Sequence, residues 1–351
     1  MELPDTTKAA ILVGLNQPLV VDDVALPRTL EPGQVLVRVH YSGICGSQLG
    51  EIDGAKGEDK FLPHLLGHEG SGVVEAIGPA VRFAKPGDRV VLHWRKSQGI
   101  EAAPPKYSWR GKPLNAGWVT TFNRHAIVSE NRLTRIDDSC DMQVAALYGC
   151  AVTTGFGVAE NNAKIRFGES VVVFGAGGVG LNIIQAAALL SAYPIVAVDL
   201  HGNRLELARR LGATHTIDSS SVDARESLIR ILGAQGADVF VDNTGQPAII
   251  ELGYELTKAQ GRVVLVGVPR KGKTINIYSL PLHFGKTISG SHGGEAIPHL
   301  DIPRYQKLLD AGRIQLQPLI TDLFGLGEIN DAIAGMRNGT ITGRCLVNMA
   351  S

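Results

Sequence analysis

The chain has 351 residues, 44% hydrophobic and 19% charged, too long for one small core, so two domains are expected. Its 34 lysines and arginines balance 34 aspartates and glutamates, which excludes the strongly basic character of a nucleic-acid or anionic-membrane binder. Four widely spaced cysteines without a C-x-x-C pair, no basic segment ahead of an apolar N-terminal stretch, and no apolar run of membrane length together predict a reducing, cytoplasmic setting.

Residues 1 to about 135 read as β-rich. Runs of β-branched residues recur at 10–13, 19–21, 35–39, 72–77, 89–92 and 126–128, separated by turn signals such as Glu31-Pro32-Gly33 and Lys85-Pro86-Gly87-Asp88. That pattern predicts a closed or nearly closed β structure rather than βαβ units. Residues 93–118 form the least regular stretch, with Pro104-Pro105, all three tryptophans and several basic residues, and are expected to be a long loop. A helix is expected over 141–160, capped at its start by Asp141.

From Ser170 the pattern alternates strand and helix. Val171 to Phe174 suits a strand buried on both faces, and Gly175, Gly177 and Gly180 then make G-x-G-x-x-G, with Gly178 and Val179 between the last two glycines. Such a turn, opening a helix, offers backbone N–H groups and a partial positive charge to a pyrophosphate. The next strand ends at Asp199. An acid there accepts hydrogen bonds from the hydroxyls of an adenosine ribose and repels a 2′-phosphate, which favours NAD over NADP. Further strands are expected at 214–217, 238–241, 262–266, 274–278 and 287–290, with helices near 203–211, 224–232 and 248–257. Together these predict a doubly wound parallel sheet. The tail from about residue 301 returns to helix, a Pro318 loop, a helix over 329–336 and a last strand over 344–347.

Candidate metal ligands stand in unusual local settings: Cys45 in GICGS, His68 and Glu69 in LLGHEGSG, and Cys150 in LYGCAVTTGFG. Taken by themselves these residues decide nothing. A buried cysteine is usually a small apolar filler and a lone histidine a hydrogen-bonded one.

The blocks GICGSQ, GHEGSGVVEAIG, KPGDRV, GCAVTTGFG and GAGGVG, in this order along nearly the whole chain, resemble the medium-chain zinc-dependent alcohol dehydrogenases. The resemblance implies a GroES-like catalytic domain of residues 1–150 and 295–351, and a Rossmann NAD-binding domain of residues 151–294. It implies one catalytic zinc on Cys45, His68 and Cys150, with water or Glu69 as the fourth ligand. Ser47 matches a hydroxyl that touches the substrate oxygen and passes on its proton. Thr154 matches a residue beside the nicotinamide, Arg204 a partner of Asp199 at the ribose, and Arg344 a pyrophosphate contact. Gly267 and Val268 match the strand end where backbone groups hold the carboxamide, and Trp94 a large side chain against the substrate.

Three departures accompany the resemblance. Gln48 stands where an acidic residue is common, and Gly50 where a histidine often completes a proton relay, so Glu51, His40 or a water chain is left to carry the proton outward. The 93–118 stretch lacks the four cysteines of a structural zinc, so one zinc per subunit is expected. The implied reaction interconverts an alcohol and an aldehyde or ketone by hydride transfer with NAD. The aromatic and basic residues Trp94, Arg95, Lys96, Trp109 and Arg110 would suit a polyol, sugar-derived or anionic alcohol; the alternative that these charges merely solvate a loop stands at least level with it, and simple primary or secondary alcohols stay open. Rival readings are a zinc-free, NADPH-dependent enone or quinone reductase, which the ligand set and Asp199 disfavour, and a non-catalytic nucleotide-binding protein. Relatives imply a homo-oligomer, dimer or tetramer, with residues 274–280 as a candidate pairing edge.

Overall fold

The computed structural model describes residues 3–350, which divide into two units. Residues 151–296 with 311–315 form one of them. At its centre lies a six-stranded sheet in the spatial order His215–Asp218, Ile195–Asp199, Val171–Phe174, Ala237–Asp242, Thr257–Leu265, Thr287–Gly290. All neighbours are parallel. Counted along the chain, the order is third, second, first, then fourth to sixth, the doubly wound arrangement expected from the alternating pattern. Val171–Phe174 is buried at every position, as an unbroken apolar run at the middle of a covered sheet requires. The winding reverses beside it, which makes the loops after Val171–Phe174 and Ala237–Asp242 the crevice where such sheets take ligands.

The glycine turn follows this strand. The helix Gly178–Leu189 starts on Gly177, and a Cβ on Gly180 would run into the Gly175 carbonyl, so the third glycine lets helix and strand close together. The strand expected at 274–278 is absent. That segment is held by the helix Pro247–Glu255 instead of a ladder: the Asn276 N–H donates to Glu251 at 2.7 Å, and the Tyr254 hydroxyl donates to the Tyr278 carbonyl at 2.9 Å. The sheet edge is Thr287–Gly290.

The other unit comprises the chain up to Cys150, then 297–310 and 316 onward. It holds two sheets. The smaller runs His64–Leu65, Thr6–Leu12, Val20–Ala25, Tyr107–Trp109, Lys112–Leu114. The larger runs Leu133–Arg135, Arg89–His93, Glu69–Ile77, Gln34–Gly43, Arg344–Asn348, Ile320–Gly325, with His125–Ser129 also on Gln34–Gly43. Val35, Val37, Val39, Val74, Val90, Leu92 and Val128 meet in its main core with Ile329, Ile333 and Val347 from the tail.

Residues 93–118 are more ordered than a loop. Tyr107–Trp109 and Lys112–Leu114 form a hairpin whose turn residues, Arg110 and Gly111, both have positive φ. Trp109 and Arg110 both bind the Asp22 carboxylate on the neighbouring strand, at 2.9 Å from the indole and 2.9 Å from the guanidinium, and Arg110 stacks over the indole. These two residues serve the sheet, which removes them from the substrate-facing set expected above. Lys96 pairs with Glu101. The single helix expected over 141–160 is broken into Met142–Leu147, Ala151–Gly157 and a π-turn over Val158–Asn162. Asp141 does cap the first piece, accepting from the N–H groups of Gln143 and Val144.

Candidate metal centre

Three elements end at one point in the sheet-rich unit. Gln34–Gly43 and Glu69–Ile77 are antiparallel, with Ser42 opposite Gly70, so the residues just beyond one and just before the other share one end of the sheet. Cys45 follows the first strand as N-cap of the helix Gly46–Ile52, and His68 precedes the second. The turn is pinned by Ser42, whose hydroxyl donates to the Glu69 carbonyl at 3.1 Å and shares a 2.6 Å bond with Thr121. Cys150 arrives from the helix Met142–Leu147. Its predecessor Gly149 passes so close to the Leu92 carbonyl and the Glu69 backbone that a Cβ would not fit, which explains the break in the helical pattern there.

The outcome is a cluster in which one ligand atom each from Cys45, His68 and Cys150 lies within 4.8 Å of the others. The two sulfurs are 3.9 Å apart and no disulfide joins them. Tetrahedral zinc with Zn–S bonds of about 2.3 Å sets two sulfurs about 3.8 Å apart, so the donor set and its spacing fit the ion. His68 Nδ1 is engaged by Gln48, which leaves the buried Nε2 for the sulfurs. The Cys45 thiol is held well below its ordinary range, chiefly by the hydrogen bond with Cys150, with His68 and the Arg344 charge adding to it against the opposing effect of burial. A thiolate is the form a metal requires.

A family model for "Zinc-binding dehydrogenase" matches residues 178–311 and one for "Alcohol dehydrogenase GroES-like domain" matches residues 31–138. The chain is 30% identical to an S-(hydroxymethyl)glutathione dehydrogenase of Haemophilus influenzae, covering 95% of each chain. A protein of that name from Escherichia coli is 31% identical, over 95% of this chain and 97% of its own. The chain belongs to the medium-chain zinc-dependent alcohol dehydrogenase family. Among solved structures it is similar to a benzyl alcohol dehydrogenase from Acinetobacter calcoaceticus, with 28% identity, a TM-score of 0.86, and coverage of 99% of this chain and 100% of the other. An "alcohol dehydrogenase zinc-binding domain protein" from Burkholderia ambifaria gives 29% identity and a TM-score of 0.89, covering 98% of this chain and 99% of the other. The protein is thus an oxidoreductase of the zinc alcohol dehydrogenase family, built from a GroES-like and a Rossmann-type part.

Around the candidate metal centre, Trp94 stands edge-on to His68 with ring centroids 6.5 Å apart, and Arg95 lies 5.7 Å from the Trp94 ring. Ser47 is the second residue of the Gly46–Ile52 helix and is half-buried. Glu69 is fully buried and forms an ion pair with Arg344, itself buried at the start of the last strand. The metal cluster does not include Glu69. Of the groups named for proton exit, Glu51 pairs with Lys56 at 3.4 Å, and His40 lies among Arg38, Arg89 and Glu75; burial first, then the two arginines, lowers its affinity for a proton.

In the Rossmann-type unit, Asp199 ends its strand nearly buried. Its carboxylate accepts from the Ala176 N–H at 2.7 Å and the His201 N–H at 3.0 Å, and Arg204 approaches to 3.8 Å. Asp199 therefore ties the glycine turn to the end of the adjacent strand. Gly267 and Val268 follow the strand Thr257–Leu265, with Val268 exposed. Thr154 is buried in the helix Ala151–Gly157. The chain pattern had no signal for the Gln48–His68 contact, between a helix and a loop, or for the Glu69–Arg344 pair, between two strands.

Proposed function

We propose that the protein is a cytoplasmic, NAD-dependent zinc alcohol dehydrogenase with one zinc per subunit, interconverting a small-molecule alcohol and its aldehyde or ketone. The convergence of Cys45, His68 and Cys150 carries this reading. Bound there, zinc supplies Lewis-acid polarisation of the substrate oxygen, and the nicotinamide supplies the hydride acceptor. The chain's own residues supply the rest. Cys45, His68 and Cys150 give three ligands, which leaves the fourth position open to a substrate or water oxygen. Arg344 holds the Glu69 carboxylate in an ion pair, favouring that oxygen over Glu69 as the fourth ligand. Ser47, two residues past Cys45, receives the proton of the alcohol hydroxyl and passes it outward. Trp94 forms an apolar wall beside His68.

NAD use is supported by Asp199 at the end of its strand, beside the glycine turn of Gly175, Gly177, Gly178, Val179 and Gly180. Thr154, Arg204, Gly267, Val268 and Arg344 complete the proposed cofactor contacts. With Trp109 and Arg110 committed to Asp22, a polyol or sugar-derived substrate keeps the support of Trp94 and Arg95 alone. Simple primary or secondary alcohols fit an aromatic wall equally well. A homo-oligomer, dimer or tetramer, is part of the proposal, but residues 274–280 form no strand to serve as its pairing edge. No helix among the described residues is long and apolar enough to cross a membrane. The reading is tested with Cys45→Ala, which is expected to lose alcohol-dependent NADH formation and bound zinc while retaining NAD binding. Undiminished turnover by a zinc-free variant would defeat it.

A further inference from the structure

Gln48 is 1% exposed and bridges two groups with opposite hydrogen-bonding demands. Its Oε1 accepts from the Cys45 N–H at 2.9 Å, and its Nε2 lies 2.6 Å from His68 Nδ1. A backbone N–H can only donate, so the oxygen of the amide must face Cys45. That choice turns the NH₂ of the same amide toward His68, where Nδ1 must then accept. A neutral imidazole that accepts at Nδ1 carries its proton on Nε2. Gln48 engages Nδ1, so Nε2 is the ring nitrogen left to face the sulfurs, on the side where His68 hydrogen-bonds the Cys45 thiol. A histidine that binds a metal through Nε2 has its proton on Nδ1, donated to an acceptor. In this arrangement His68 is therefore in the tautomer that cannot ligate.

We propose that Gln48 is a positioning residue that sets the tautomer of His68, and that metal loading requires its amide to turn over. After the turn, Oε1 accepts the Nδ1–H of His68, Nε2 of the ring is bare, and the Cys45 N–H loses its acceptor. The ring itself gains and loses no proton overall, since its proton moves from Nε2 to Nδ1 through solvent; protons still on the two sulfurs leave to solvent when zinc binds. Metal occupancy is thereby coupled to the hydrogen bond at the start of the helix that carries Ser47. Zinc binds less tightly than it would beside a carboxylate, which accepts from Cys45 and His68 at once. The inference rests on reading Cys45, His68 and Cys150 as the metal ligands.

The direct measurement is ¹⁵N NMR of the histidine rings in metal-free full-length protein, with His68 assigned from His68→Gln. The expected spectrum shows the His68 proton on Nε2, and titration with zinc moves it to Nδ1. In Gln48→Glu the metal-free ring is expected to carry its proton on Nδ1 already, and chelator competition is expected to show zinc held at least about tenfold tighter, within the range seen for groups that orient metal ligands. A wild-type His68 with Nδ1–H before zinc is added overturns the proposal, whatever the fate of the Glu variant. Tighter zinc binding in Gln48→Glu without a change of tautomer also overturns it, since the added negative charge alone would account for that gain. Failure of the chain to take up zinc would remove the metal reading, while the ring spectrum would still decide the tautomer.

Discussion

Replacing Arg344 with methionine isolates the buried ion pair behind the metal centre. Glu69 is 0% exposed and Arg344 4% exposed, so neither charge is solvated in the folded protein. Removing the guanidinium leaves a carboxylate in the interior without its counter-charge, an error that costs about 3–5 kcal/mol. Against a native stability of about 5–15 kcal/mol this is a large fraction. All three tryptophans, Trp94, Trp109 and Trp118, lie in the same unit as the pair. Intrinsic fluorescence therefore follows the unfolding of that unit without the second unit contributing a transition of its own. With a urea slope of about 2 kcal/mol/M, the Arg344→Met midpoint is expected to fall by about 2 M. The double variant Glu69→Gln, Arg344→Met, which removes both charges, is expected to recover most of that loss. A single-variant midpoint within about 0.3 M of the wild type, at about the same slope, would refute the reasoning.

Asp199→Gly removes a charged acceptor for the ribose hydroxyls and the repulsion of a 2′-phosphate. Hydrogen bonds to charged groups contribute about 1.5–3 kcal/mol, so the ratio of kcat/KM with NADP to that with NAD is expected to rise about tenfold or more; an unchanged ratio contradicts the ribose assignment. The Asp22 carboxyl is held at about 2, foremost by the Trp109 indole, then by the Asp23 N–H and Arg110. Its folded value lies below its unfolded one, so its support of the hairpin is complete above about pH 4 and lost as the pH falls through about 2. The Trp109 indole N–H resonance should therefore stay in place between about pH 5 and 3, and a half-shift near pH 3.8 would show the carboxyl titrating at its ordinary value.

The Rossmann-type sheet was legible because buried parallel strands leave unbroken apolar runs, and because Val171–Phe174, the glycine turn and Asp199 are consecutive in the chain. What failed was local. The hairpin at Tyr107–Trp109 and Lys112–Leu114 has strands of three residues, too short to show alternation, and its turn uses Arg110-Gly111 in place of the stronger asparagine–glycine signal. Residues 274–278 carry the β-branched character of a strand but have no ladder partner among the described residues; their hydrogen bonds go to Glu251 and Tyr254 of a helix. The break before Cys150 follows from a steric fact at Gly149 that involves Leu92 and Glu69, neighbours only after folding. At the candidate site, spacing identified cysteine and histidine as candidates but carried no geometry; likeness to a family supplied the grouping. Gln48 was visible as a departure, yet its consequence lies in the direction of two hydrogen bonds, which residue identity alone does not give.

X-ray absorption at the zinc edge of the loaded, full-length protein tests the central claim most directly. Expected are one zinc per subunit, two sulfur ligands at about 2.3 Å, one imidazole nitrogen at about 2.0–2.1 Å and one light oxygen ligand, with one sulfur lost in Cys150→Ser. A zinc shell of nitrogen and oxygen only, or one that keeps both sulfurs after that substitution, would contradict the account.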